Sequence, residues 1–239
     1  MTVLVAADLS VRSEYAITRA CQMAKTVGKD VRALHVVDGS LREDFRKQAV
    51  DWAKKSLTAI AEEAATCHGV TVTPEIRQGH PRKTLIEQSN SDDITLLVFG
   101  VHSGDEKETR SFSKTTAGQA LAGSIPPALL VTEKPGDDYR NVVVGIDFTL
   151  SSRAAIRQAI TLAPEAKIHL VHAYHPPFIG LSASPMLAEE VAYQHKLEFD
   201  RFLTEEMALL EDQAKRHGAM ADSVNRIIEA GTPEAVLRG

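Results

Sequence analysis

Two kinds of residue in this chain stand where ligand chemistry could happen: glycines and hydroxyls that follow an apolar run, and aspartates that end one. The first kind lies in "VFGVHSGDEKETRSFSKTT", Val98 to Thr116, which carries Gly100, His102, Gly104, Lys114 and Thr115. Glycine lets backbone amides approach phosphate oxygens with no side chain between, and a hydroxyl at a following helix start adds a donor at a favourable dipole end. The charges along it pull both ways. Asp105, Glu106 and Glu108 repel a polyanion while Lys107, Arg110 and Lys114 attract one, so the local balance is close to neutral. His102 fits either a ligand contact or an ordinary surface position. The second kind is Asp8 and Asp147, each closing an apolar run at a helix entry, where a carboxylate accepts backbone amides or a ligand hydroxyl.

Other residue types point away from covalent or metal chemistry. His169, His172 and His175 are spaced by three, but on a strand the first two face opposite sides, and no carboxylate or cysteine cluster joins them. Cys21 and Cys67 form no C-x-x-C pair and read as small buried side chains in a reducing compartment. The chain contains no G-x-S-x-G, P-loop or H-E-x-x-H pattern, so no metal site is expected and catalysis has no support.

The elements that must position these residues occur twice. "VLVAADLSVRSEYAITRACQMA" from Val3 lines up with "VVVGIDFTLSSRAAIRQAITLA" from Val142, matching Asp8 to Asp147 and Ser13 to Ser152. "IRQGHPRKTL" from Ile76 is echoed by "IEAGTPEAVL" from Ile228. Each repeat opens on an apolar run that reads as a strand covered on both faces, then a helix capped by Ser10 or Thr149. In the first helix Ala16, Ile17, Ala20, Met23, Ala24 and Val27 recur at helical spacing, with Gly28 as the stop. A strand at Val31 to Val37 follows, then a long amphipathic helix around Phe45, Ala49, Trp52, Ile60 and Ala64. Further strands are expected near Val70 to Ile76, at Ile94 to Phe99 and at "PPALLVT". The alternation predicts an α/β fold of two tandem doubly wound, Rossmann-like parallel-sheet domains, residues 1–135 and 136–239. The second lacks a counterpart of the last strand-helix-strand portion, which leaves the Val142 strand at an open edge.

With 239 residues, 44% hydrophobic and 25% charged, the chain has the composition of a soluble globular protein. Its net charge of -5 gives no global attraction to nucleic acid or anionic lipid. "MTVLVAADLS" has no basic leader and no long apolar stretch, so the expected location is cytoplasmic.

"VLVAADLS", "LHVVD", "GHP", "LLVFG" and "PPALLV", with "VVVGIDFT", "LVHAY" and "AGTP" in the second repeat, resemble universal stress protein domains, here of the tandem type. The resemblance implies a five-stranded parallel sheet and, in one branch of the family, an ATP site at the carboxyl ends of its strands. There Asp8 and Val36 would hold the adenosine end, and a loop of pattern Gly-x2-Gly-x9-Gly-Ser/Thr the phosphates and ribose. Gly100 fits the first loop position. The second is Ser103, with Gly104 one place late, and with that slip the third glycine is replaced by Lys114, followed by Thr115. A lysine there either blocks the backbone approach or supplies an ammonium to the phosphates. The candidate binding set is Ala7, Asp8, Leu9, Val36, Gly100, His102, Gly104, Lys114 and Thr115, with ATP or AMP as cofactor. The second repeat keeps Asp147 but no loop, so no complete nucleotide site is expected there. The function implied is a stress-response protein that works by binding a nucleotide or a partner. The alternatives are a nucleotide-free scaffold that dimerises through its sheet edges and a weak ATP hydrolase.

Overall fold

In the computed structural model, residues 2–101, 116–174, 185–217 and 224–238 are described. They divide into two compact units, Met1–Asp137 and Asp138–Gly239.

The first unit is a five-stranded parallel sheet in the order β3-β2-β1-β4-β5. Its strands are β1 (Thr2–Ala6), β2 (Asp30–Asp38), β3 (Val72–Gly79), β4 (Ile94–Gly100) and β5 (Ala128–Val131). The helices are α1 (Val11–Val27), α2 (Glu43–His68), α3 (Pro81–Ser89) and α4 (Thr116–Gly123). Continuous apolar runs in β1 and β4 are explained by burial on both faces. Leu4, Leu34, Leu97 and Phe99 cluster with Leu85 of α3 and Ala120 of α4. The alternate positions Val3, Val5, Ala33 and Val98 are buried too, with α1 on β1 and α2 on β2. α1 ends at Gly28, whose φ of 63° lets its amide turn back to Ala24 and Lys25.

Two features of these helices depart from the sequence pattern. Val27 is only half-buried while Arg19, its guanidinium donating to the Asp137 carbonyl at 3.3 Å, is buried. In α2 the buried seam is Ala53, Leu57 and Ala61, whereas Phe45 and Trp52 are 54% and 60% exposed. Alanines on either side of Leu57 let the helix approach the sheet closely. The two large aromatics lie on the open flank, with the Arg42 guanidinium 4.8 Å from the Phe45 ring.

The second unit repeats the opening with β6 (Asn141–Gly145), α5 (Leu150–Leu162), β7 (Lys167–Tyr174), α6 (Pro185–His217), β8 (Val224–Ala230) and α7 (Pro233–Arg238). Its described sheet has three parallel strands in the order β6-β7-β8, with β6 at an edge. The core combines Val144, Ile146, Ile156, Ile160, Ile168 and Leu170 with Phe199, Phe202 and Leu203 of α6. One charge lies within it. Glu206 is 0% exposed and takes hydrogen bonds from Arg153 and Arg157 of α5, the second at 3.3 Å. Arg153 also stacks 4.6 Å over the Phe202 ring, so one guanidinium joins the two helices by charge and by contact. No described helix is long and apolar enough to cross a membrane.

Candidate functional site

β1 ends at Ala6, and the chain leaves the sheet through Ala7, Asp8 and Leu9. Ala7 is buried and donates its amide to the Leu34 carbonyl at 2.8 Å, extending the ladder by one step. Leu9 then adopts φ 64°, a left-handed conformation that costs an ordinary side chain about 1 kcal/mol or more. This kink turns the exposed Asp8 carboxylate back over the entrance to α1. Its Oδ1 accepts from the Ser10 amide at 3.0 Å and the Ser10 hydroxyl at 2.5 Å. Ser10 is at the same time the helix cap, its Oγ accepting from the Ser13 amide at 3.4 Å. Partial burial pushes the Asp8 carboxyl up, but the Ser10 hydroxyl and amide and the Ser13 hydroxyl outweigh it and hold it below the ordinary value.

Asp8 and Gly100 stand on either side of the place where the strand order reverses, between β1 and β4. In open parallel sheets that crevice, beyond the carboxyl ends of the strands, is where ligands bind. Val36 lies on the neighbouring β2, its side chain half-buried against the Leu34 and Phe99 cluster. Gly100 has a packing reason of its own. A Cβ at this position would sit 2.1 Å from the Arg12 carbonyl oxygen, so only glycine admits the first turn of α1. The Arg12 guanidinium reaches the Thr132 carbonyl at 2.6 Å, tying that turn to the end of β5. Of the sequence-derived set, the structure therefore brings Ala7, Asp8, Leu9, Val36 and Gly100 to one rim. His102, Gly104, Lys114 and Thr115 lie outside the described residues, as does His175.

The second unit rebuilds the same turn from different neighbours. Phe148 takes φ 62°, the counterpart of Leu9. Asp147 accepts from the Ser152 hydroxyl, from the Thr149 hydroxyl at 2.6 Å and from the Thr149 amide at 3.1 Å. These bonds, that of Ser152 foremost, pull its carboxyl down to about 2. All three donors come from its own turn. Aromatic rings fill the space behind it: Phe148 lies 4.4 Å from His172 and 5.5 Å from Phe202. Beside Phe148 an open groove of about 340 Å³ is lined by Arg153, Glu198, Arg201, Phe202 and Glu205. Its cations are spent locally, since Glu205 binds Arg153 at 3.0 Å and Arg201 at 3.3 Å.

His169 and His172 face opposite sides of β7, as their spacing requires. His169 bonds Asn141 and Asn225, and His172 bonds the Ile146 carbonyl and His195. No group of three or more His, Cys, Asp or Glu that could hold a metal exists among the described residues. Sequence reasoning missed His35, whose Nδ1 lies 2.8 Å from the Ala7 carbonyl. The available signal was a histidine in the second strand of each repeat.

The Usp model of the universal stress protein family matches residues 1–130 and, a second time, 138–238. The chain belongs to the universal stress protein family. No curated protein matches it in sequence. Among solved structures, this universal stress protein is similar to one from Archaeoglobus fulgidus at 17% identity and a TM-score of 0.68, covering 99% of this chain and 81% of the other. That likeness spans both units and shows the fold. Shorter matches include a universal stress protein in complex with cAMP, at 22% identity and a TM-score of 0.44 over 56% of this chain and 98% of that one. Another is the Archaeoglobus fulgidus universal stress protein in complex with dAMP, at 18% identity and a TM-score of 0.45 over 55% and 98%.

Proposed function

We propose that the first unit of this universal stress protein binds an adenine nucleotide, ATP or AMP, and that the protein serves the stress response through such binding and not through turnover. The observation that carries this is the position of the Asp8 turn and Gly100 on the two sides of the strand-order reversal. Asp8 is ionised, exposed and held by its own cap, so it presents an acceptor to the hydroxyls of a sugar. The amino end of α1 opens on the same rim and favours negative charge. Lys114 and Thr115 would meet the phosphates from the segment that follows β4. The second unit carries the aspartate without a described counterpart of β4, which favours one nucleotide per chain.

Calorimetric titration with ATP and with AMP tests this. Saturable binding near one equivalent, weakened about ten-fold or more by Asp8→Ala and unchanged by Asp147→Ala, is the expected result. Absence of binding at millimolar nucleotide would remove the reading. A second reading, pairing of copies through a sheet edge, is favoured by one observation: β5 is an outer strand and Leu130 on it is exposed.

A further inference from the structure

In each unit the second strand carries a histidine whose Nδ1 lies 2.8 Å from a backbone carbonyl: His35 from that of Ala7, His172 from that of Ile146. A carbonyl oxygen can only accept, so both rings carry a proton on Nδ1. The two carbonyls occupy equivalent places, in the peptide unit whose nitrogen belongs to Asp8 or Asp147. That unit is planar and rigid, so holding its oxygen fixes the plane from which the aspartate departs.

The residue after each aspartate is left-handed, Leu9 at 64° and Phe148 at 62°. A side-chain-bearing residue keeps such a conformation only where its surroundings over-determine it. On the helix side the constraint is Ser10 bonding Asp8, or Thr149 and Ser152 bonding Asp147. On the strand side it is the histidine. Between the units the neighbours change, Leu9 to Phe148, Ser10 to Thr149, Val36 to Ala173, while the histidine, its nitrogen and its bond length stay the same. The second histidine has a further support. The Nε2 of His172 lies 3.2 Å from the Nδ1 of His195 on α6, a hydrogen bond that holds the far side of the ring.

We infer that His35 and His172 are positioning residues, strand-side clamps on the two aspartate turns, and that His35 sets the direction in which Asp8 offers its carboxylate to a ligand. The second half of this rests on the nucleotide reading of the first unit, whereas the clamp itself needs no ligand.

The test is NMR on the ligand-free full chain, with imidazole nitrogens read for tautomer and side-chain carboxyls titrated, for the wild type and for His35→Leu, His35→Asn and His172→Leu. Both histidines are expected as the Nδ1–H tautomer. In His35→Leu the Asp8 titration should move by about half a pH unit or more while that of Asp147 stays. His35→Asn, whose amide reaches the place of the Nδ1–H, should restore it, and His172→Leu should move Asp147 alone. A neutral Nε2–H tautomer at His35 overturns the inference, and it is read on unmodified protein, so it decides even where a variant fails to fold. A folded His35→Leu with Asp8 titrating as in wild type, or His35→Asn behaving like leucine, overturns it as well. ATP titration of the same samples separates the two claims. A moved Asp8 with no ATP binding to wild type keeps the clamp and removes the nucleotide reading. ATP binding that His35→Leu leaves unchanged overturns the part that concerns ligand presentation.

Discussion

A serine hydroxyl and a threonine hydroxyl decide how the second aspartate titrates. Asp147, drawn down to about 2 by Ser152 first and Thr149 next, binds its proton less readily folded than unfolded, where a carboxyl sits near about 3.9. Its bonds therefore stabilise the fold above that value, and the contribution fades as pH falls toward about 2. Asp8 is shifted in the same direction. Ser152→Ala should melt at a lower temperature than wild type near neutral pH and converge with it in acid, which calorimetry at several pH values would check. A gap that persists unchanged at low pH would mean that Ser152 acts through packing alone. These aspartates were legible in the sequence because each closes an apolar run before a capping residue. The kink beside them was not, since Leu9 and Phe148 are poor candidates for a positive φ and the bonds that hold them there come from residues the local pattern does not single out.

Among the elements, α5 and α6 are joined through a buried charge. Burying Glu206 takes a carboxylate out of water, and Arg153 with Arg157 offsets that by two charge-assisted hydrogen bonds. Glu206→Ala should cost about 2 kcal/mol, because its two charge-assisted bonds across the helices are lost while Arg153 keeps Glu205 and Arg157 turns to solvent. Hydrogen exchange checks it: amides of β6 and β7 should lose protection while those of β1 and β4 keep theirs. Strands and helices were readable from period and repetition, down to the glycine that ends α1. The buried seam of α2 was not, because large apolar residues at helical spacing outweigh Ala53, Leu57 and Ala61 in any pattern, although the smaller set packs closer to the sheet. Nor was the Glu206 cluster, whose members are far apart in sequence and individually look like surface charges.

At the scale of the molecule, duplication has produced two units with different interiors. The first is built around Leu4, Leu34, Leu97 and Phe99, whereas the second sets Phe148, Phe199 and Phe202 among its aliphatic residues. If copies pair along β5, Leu130→Lys should shift sedimentation at high concentration toward the single-chain value; wild type sedimenting as a single chain throughout would end that idea. Trp52 carries a practical corollary. It is the chain's one tryptophan, and its indole already meets solvent on the flank of α2. Its emission will change little when the sheets come apart, yet it will respond to anything that settles on that helix, so intrinsic fluorescence is a poor gauge of melting and a sensitive one of encounter.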